Sequence, residues 1–440
     1  MVKQIIFALA LLVTFAIFAY TISKYVRYFK LTKKGFPVKD IGKRISRMLE
    51  VAFGQTKIFR WPVIGFLHAI VFWGFCVILI GSIEMVIDGL FGTDRALGVL
   101  GFLYKIITAS GDVFAFLIAI AIVVFWFRRT FMHVKRFYGT EMKEKSHQDA
   151  TFALTMILLL MVSLLGMNTF YIALQNSENM TVEGAFPVSL LFSEIVTGMS
   201  TETLHVFHEI FWWMHILLIF VFANVLPYSK HFHVFMSVPN VFLSNLNPMG
   251  KMRNMENIMA EVKMMMNPET AFSAAPADAP IERFGAKDVD DLIWKHYFDS
   301  LTCTECGRCT SVCPANQTGK KLSPRKIMMD VRARMKEKGN GLIKNGKDYN
   351  DNRSLLRDYI SEEELWACTT CNACATECQV NINQPAVILE MRRYLVMEEA
   401  SAPGELKNMF NYTENNGAPW QYSAEERMSW AKDLEMNVKA

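Results

Sequence analysis

Glycine and proline are scarce, 24 and 14 of 440 residues, while 52% of the chain is hydrophobic. Collagen-like, disordered and disulfide-scaffold chains are thereby excluded. Cysteine is almost absent from the first 302 residues, which hold Cys76 alone; the other eight lie between 303 and 378 in two short groups. A secreted disulfide framework scatters its cysteines, so the C-terminal part belongs in a reducing compartment. A one-sided charge is also missing. Residues 1–280 carry 24 Lys/Arg against 18 Asp/Glu, and 281–440 carry 22 against 24, which gives no reason to expect a nucleic-acid partner. No GxGxxG motif occurs.

Long apolar runs are plentiful. Those near 5–23, 62–87, 108–127, 151–173 and 206–227 each approach the ~20 residues that cross a hydrocarbon core as a helix. The first is too long for a signal peptide, is followed by Lys24, Arg27 and Lys30, and has no small-residue cleavage site, so it reads as a retained anchor. Eleven Lys/Arg lie in 24–60 and six in 128–145, against two in 84–107 and none in 173–202. Basic loops stay on the cytoplasmic side, which places the N-terminus outside and the C-terminus inside an inner, cytoplasmic membrane. A soluble helical protein would show neither the repeated span length nor this alternation. The expected fold is mainly all-α: a five-helix transmembrane bundle over 1–235, then a cytoplasmic helical ferredoxin domain over 285–400.

Between them, 236–266 hold eight methionines, of which Met249, Met252 and Met259 are spaced to share a helix face and to pack on the membrane domain or a partner. The sequence AAPADAP (274–280) reads as a linker within 236–284, and 401–440 as a partner-docking tail.

The first cysteine group is Cys303-x2-Cys306-x2-Cys309-x3-Cys313-Pro314, and the second is Cys368-x2-Cys371-x2-Cys374-x3-Cys378. This is the spacing of bacterial two-cluster ferredoxins, in which the fourth cysteine of each run serves the other cluster. Cys303, Cys306, Cys309 and Cys378 are therefore assigned to one 4Fe-4S cluster, and Cys368, Cys371, Cys374 and Cys313 to the other. Zinc also takes CxxC pairs, but two complete runs of one pattern favour iron-sulfur chemistry. Gly307 suits the tight turn this spacing demands. Gln379 stands where proline usually follows the last cysteine, which affects a turn and no ligand. Fifty-four residues separate the runs and include a helix with Ser323 as N-cap, Pro324 at its first position and Gly339 at its end. The domain resembles the helical ferredoxins of succinate dehydrogenase iron-sulfur subunits and of heterodisulfide reductase-type proteins.

Six of nine histidines, His68, His205, His208, His215, His231 and His233, sit at or inside spans. Intramembrane ionisable groups are costly, and imidazoles on facing helices are a means of holding haem iron. At 1.5 Å per residue, His68 lies ~12 Å above Arg60 and can meet His233 at an inner haem, while His215, ~22 Å above Lys230, is a candidate for an outer one. The stretch from His215 through Pro227 to His233 resembles the last span of the nitrate reductase gamma-subunit family, and FLHAIVFWGF resembles its second span, which implies His68 as an inner-haem ligand. That family has a further histidine where this chain has Ile78. His215 then pairs with His205 or His208, takes a non-histidine ligand such as Met167, or stays free, so one or two haem b are expected.

Quinol oxidation releases protons, and acidic groups and histidines near the outer ends of spans (Glu84, Asp112, Glu194, Glu202, His205, His208, Glu209) are candidate acceptors; His208 and Glu209 are the quinone-site candidates. The tail, NMFNYTENNGAPWQYSAEERMSWAKDLEM, resembles the segment that precedes cysteine-rich repeats in heterodisulfide reductase-like and glycolate or glycerol-phosphate oxidoreductase proteins. The resemblance implies a separate cysteine-rich (CCG-type) subunit as partner, with a flavoprotein as a further candidate. The whole resembles a membrane-bound iron-sulfur oxidoreductase of the heterodisulfide reductase-related type. The expected role is electron transfer between the quinone pool, haem b, two 4Fe-4S clusters and a cytoplasmic partner. A self-contained iron-sulfur reductase and a non-catalytic sensor or scaffold are the alternatives.

Overall fold

The computed structural model describes residues 1–267, 283–346 and 349–431. The expected linker at 274–280 and the end of the tail motif lie outside them. Among the described residues there is no strand, only two isolated bridges.

Seven helices build the N-terminal part: α1 (Val2–Phe29), α2 (Ile41–Met48, continued by a π-helical turn at Leu49–Phe53), α3 (Pro62–Phe91), α4 (Phe102–Phe131), α5 (Glu144–Ser177), α6 (Pro187–Val196) and α7 (Thr201–Val225). Five of them, α1, α3, α4, α5 and α7 with its continuation to Tyr228, are long and apolar enough to cross a membrane. They outrun the expected spans because backbone hydrogen bonding does not stop where the hydrocarbon does. The polar turn Glu144–Ala150, for instance, is already part of α5.

α5 packs between α4 and α7, α3 lies on α4, and α1 runs beside α3 and α7. With no water to expel, helices in lipid gain by close approach at small residues. Phe7 of α1 is fully buried against Gly89 of α3, where an added Cβ would meet its ring at 2.7 Å; Gly166 of α5 receives the Phe211 ring of α7 as closely. Phe7, Met85, Met167, Trp212, Ile216 and Phe220 form one core of the bundle. Asp112 of α4 accepts the Val188 and Ser189 backbone N–H groups at 2.8 and 3.0 Å and so caps α6 from a neighbouring helix. Asp112, a proton-acceptor candidate by its place near the outer end of a span, thus has a structural partner in α6.

The remaining helices are α8 (His233–Phe242), α9 (Glu256–Met266), α10 (Trp294–Thr302), α11 (Arg308–Ser311), α12 (Pro314–Gln317), α13 (Pro324–Asn345), α14 (Leu355–Asp358, an irregular turn), α15 (Glu362–Trp366), α16 (Ala373–Glu377), α17 (Gln384–Met397) and α18 (Gly404–Asn416). Packing divides the chain into two units, Met1–Met252 with Asp288–Val387, and Arg253–Lys287 with Ile388 onward. In the second, Ala286 N donates to Glu390 O at 2.9 Å and Phe284 N to Glu398 Oε1 at 2.7 Å.

In the first unit the ferredoxin helices seat directly on the ends of the bundle helices. Lys33, just past α1, exchanges backbone hydrogen bonds with Leu292 and Trp294 (2.9 and 3.1 Å), and Tyr28 donates to Asn340 at 2.6 Å. The start of α13 is as expected: Pro324 occupies the first turn and the Ser323 hydroxyl accepts from Lys326 N. Its end is not. The helix runs through Gly339 to Asn345, because the missing side chain at Gly339 makes room for the Tyr28 ring, 2.6 Å from where a Cβ would stand; the helix ends instead at Gly346, φ +90°. The methionine face also differs. Met249 and Met252 precede α9 and only Met259 lies in it, and within this chain all three are exposed, at 59%, 62% and 39%.

α13 carries the fully buried Arg334, which donates to Asp288 (2.8–3.3 Å), to Asp351 (2.6 and 2.8 Å) and to the Arg353 carbonyl. The Arg334 hydrogen bonds hold the Asp351 carboxyl down at about 2. A depressed native value means stability present above the free carboxylate's ~3.9 and lost as pH falls toward 2. Arg334→Leu leaves Asp288 with Lys338 as its one remaining cation within 4 Å among the described residues, and a loss of unfolding free energy of roughly 3 kcal/mol, read from the urea midpoint, is expected at pH 7, with the difference from wild type shrinking below pH 4. An unchanged midpoint would refute this.

Candidate electron-transfer centres

The two cysteine runs share a backbone. In the first, Glu305 and Gly307 flank Cys306 at φ +56° and +74°; in the second, Thr370 and Asn372 flank Cys371 at +54° and +58°. Left-handed residues on either side of the middle cysteine fold each run into a loop with its thiols turned inward, and each loop leads into a short helix, α11 or α16. Asn372 takes glycine's place because asparagine tolerates this region.

None of the eight cysteines is in a disulfide among the described residues. Those near enough to act electrostatically on Cys309 are Cys306, Cys303 and Cys378, then Cys374. Those acting on Cys374 are Cys368, Cys313 and Cys371. Cys378 is thus among the thiols acting on Cys309, and Cys313 among those acting on Cys374. Among the described residues no His, Cys, Asp or Glu group closes tightly enough for a single metal ion. Backbone N–H groups of Thr370 and Ile382 point at Cys368 and Cys378 sulfurs at 3.4 Å, contacts that tune a thiolate-bound cluster. The Cys303 quartet is the more shielded, with Cys303 and Cys309 buried and Cys306 and Cys378 half-buried, whereas the other contains the exposed Cys371.

The shielded quartet faces the bundle through a set of cations that belong to no motif. Arg308 is 2% exposed and donates to the Lys57 carbonyl at 3.1 Å, with Glu377 3.7 Å away. With its amide oxygen turned to Arg308, Gln379 accepts from all three guanidinium nitrogens at 2.8–3.0 Å, which gives a use to the residue found in place of proline. Arg136 donates to Cys306 O at 2.7 Å, Lys57 to Cys378 O at 3.1 Å and Arg60 to Thr376 O at 3.0 Å. Both Arg136 and Arg308 lie over the Trp61 ring, 5.1 and 5.3 Å from its centroid. Glu305 pairs with Arg332, Lys230 and Ser146; burial pushes its carboxyl up, and the two cations more than offset this, bringing it below the usual range. Residue type and spacing could not have pointed to these cations, since their partners are mostly main-chain atoms distant in sequence.

Of the histidines, His68 on α3 and His233 at the start of α8 come within electrostatic reach of each other, and Arg308 is the next charge acting on His68. His68 Nδ1 is buried without a partner. His233 Nδ1 lies 3.2 Å from the Lys230 carbonyl, a contact that fixes Nδ1–H and leaves Nε2 as the lone-pair nitrogen; burial lowers its basicity. His231 is also held neutral by burial, with His233 and Lys230 beside it. An orphaned buried imidazole nitrogen, within electrostatic reach of a second imidazole whose Nδ1 is held by a carbonyl, is a donor set that would suit an iron.

His215 on α7 is 2% exposed, its Nδ1 3.0 Å from the Leu160 carbonyl and 2.9 Å from Ser163 Oγ. It borders a cavity of about 350 Å³ in the bundle's other half, lined among others by Gly81, Glu84, Arg95, His205 and His208. Met167 lines it too, already packed on Trp212 and Ile216. His205, His208 and His215 share one helix, so the structure brings no second helix's histidine to His215. Glu209 is paired with Lys3 at 2.6 Å, and Glu84 accepts from Leu97 N and the Tyr104 hydroxyl at 3.0 and 3.1 Å.

Fold and thiols define a helical protein with membrane-length apolar helices and two iron-sulfur centres. The 4Fe-4S dicluster domain family matches residues 299–382. The chain is 28% identical, over 94% of its length, to the probable iron-sulfur-binding oxidoreductase FadF of Bacillus subtilis, and 27% identical, over 96%, to the EtfAB:quinone oxidoreductase of Syntrophomonas wolfei. It spans 58% of the length of each. Over 24% of the chain it is 34% identical to one polypeptide of a CoB-CoM heterodisulfide reductase of Methanosarcina acetivorans, covering 52% of that polypeptide. No solved structure matches. Both of the long matches are to proteins named as oxidoreductases, the first of them iron-sulfur-binding.

Proposed function

We propose that the chain is a membrane electron-transfer subunit that carries electrons between a quinone/quinol couple, haem b held by His68 and His233, the Cys303 and Cys368 clusters, and a cytoplasmic redox partner. The observation that carries this reading is adjacency: buried Arg308, next to Cys309 in the chain and bonded to the Lys57 carbonyl just before α3, is within electrostatic reach of Cys306 and Cys378 and also of His68. Haem and clusters supply reversible one-electron storage, and the chain positions them.

A quinone/quinol couple exchanges two electrons and two protons. The cavity bordered by His208, Glu209 and His215 is the candidate site for it, with His208 and Glu209 as proton carriers and His215, alone or with a second ligand, as the holder of any outer haem. The loop charges put this cavity on the outer side of the cytoplasmic membrane and the clusters inside. The exposed Cys371 quartet is the exit toward a partner, and the relatives' names support a cysteine-rich subunit and an electron-transferring flavoprotein as candidates.

The test is a reduced-minus-oxidised visible spectrum of the purified protein with haem and non-haem iron counted per chain, repeated with a quinol as reductant. A b-type band that quinol develops, with about eight non-haem iron, is expected. Iron-sulfur absorption without haem would overturn the membrane half and favour a sensor or scaffold.

A further inference from the structure

Charge at the junction of the two candidate redox centres is held in an unusual way. Arg308 is buried, yet most of what holds it is neutral: the Lys57 carbonyl, the Gln379 amide oxygen and the Trp61 ring. Its one carboxylate, Glu377, stands 3.7 Å off and is shared with Arg60 at 3.2 Å. Arg136 and Lys57 add further positive charge with no carboxylate within 4 Å among the described residues. The groups facing Arg308 are thus Lys57, Arg60, Arg136, Glu377 and the cysteine thiols Cys306 and Cys378 on one side, and His68 on the other. Three neighbouring cations and one shared carboxylate leave this junction net positive. Neutral acceptors fix a guanidinium in place without cancelling its charge, which a carboxylate would do.

We propose that Arg308, clamped by Gln379 over Trp61, is a positioning residue whose uncancelled charge acts on the Cys303-quartet cluster and on the His68–His233 haem together, raising the reduction potential of both and coupling them. The inference rests on the haem reading above. Each centre gains one negative charge when it takes up an electron, and a fixed cation within reach of both stabilises each reduced form. The thiols acting on Arg308 are Cys306 and Cys378, both of the first quartet, so the Cys368 cluster is expected to feel it less. Because a guanidinium does not deprotonate in the physiological range, this contribution does not vary with pH.

The experiment is a redox titration of the full-length protein, with the haem followed by its visible band and the clusters by electron paramagnetic resonance, for wild type, Arg308→Gln, Gln379→Glu and Arg308→Lys. Arg308→Gln removes the charge. Gln379→Glu keeps Arg308 and sets a carboxylate on it, so it tests the idea even where the first variant fails to assemble its clusters. Both are expected to move the haem and the inner-cluster midpoints to more negative potentials together, with the outer cluster nearly still, and Arg308→Lys is expected to move them less. A haem that keeps its midpoint in Gln379→Glu with normal iron content would overturn the inference and leave the haem reading standing. Wild-type protein without haem would overturn both, and equal shifts at all three centres would overturn the local role of Arg308.

Discussion

Cys313→Ala is expected to empty the cluster of the other run. Non-haem iron should fall from about eight to about four per chain, and the thiols opened to anaerobic alkylation should be Cys368, Cys371 and Cys374, while Cys303, Cys306, Cys309 and Cys378 stay protected. The reason is geometric. Cys313 follows Cys309 by one short helix, α11, which carries the chain out of the first loop and into reach of Cys374, and Pro314 starts α12 immediately afterwards. Cys378 makes the reverse journey after α16. Peptide mass spectrometry of the alkylated protein reads the answer directly. Labelling of Cys303, Cys306 and Cys309 instead would show each run closing on its own cluster.

His68→Ala is expected to remove one haem per chain and to stop reduction of the clusters by quinol, while dithionite still reduces them. His215→Ala should leave the inner haem band intact. His68 has no protein partner for its Nδ1, so the substitution frees no hydrogen-bonding group and removes little packing besides the imidazole itself. Loss of haem with iron content preserved is then a ligand effect and not unfolding. Changes one step removed from the metal are milder: disturbing the carbonyl contact that orients a metal-bound histidine typically costs about 10–100-fold in affinity. Helix α8 carries Pro239 within its length, which leaves the Lys230–His233 turn as the part that fixes the His233 ring. Quantifying haem per chain in both variants decides the matter, and a full haem complement in His68→Ala would refute the assignment.

Much of the architecture could be read from residues alone because it depends on repeated simple constraints. Span length follows from bilayer thickness, and the cysteine spacing follows from how a loop must turn around a cube. The α13 start was legible in Ser323 and Pro324 since a cap is a local event. Its end was not, because Gly339 serves Tyr28, a residue far away along the chain. The same holds for Asp112, whose place near the outer end of a span looks functional until its α6 partners are known. Periodicity also misled at Met249 and Met252, where even spacing continued outside any helix. Around the candidate site, the thiols and histidines were visible as types and spacings. Arg308, Gln379, Arg136 and Trp61 were not, for their roles exist only once two distant segments meet.

The backbone exchange at Lys33, with the Tyr28 contact above it, has a kinetic meaning. A ferredoxin that diffuses must find its reductase, and its turnover then follows its own concentration. Here the iron-sulfur lobe is seated on the end of α1 by main-chain contacts, so in the proposed relay the first transfer would happen within one molecule, whatever the protein's abundance in the membrane. Collision enters only at the far edge, where Cys371 meets solvent. Supply of the soluble partner, and ionic strength insofar as it governs that encounter, would set the pace of the whole relay, and the membrane-side step would be indifferent to both.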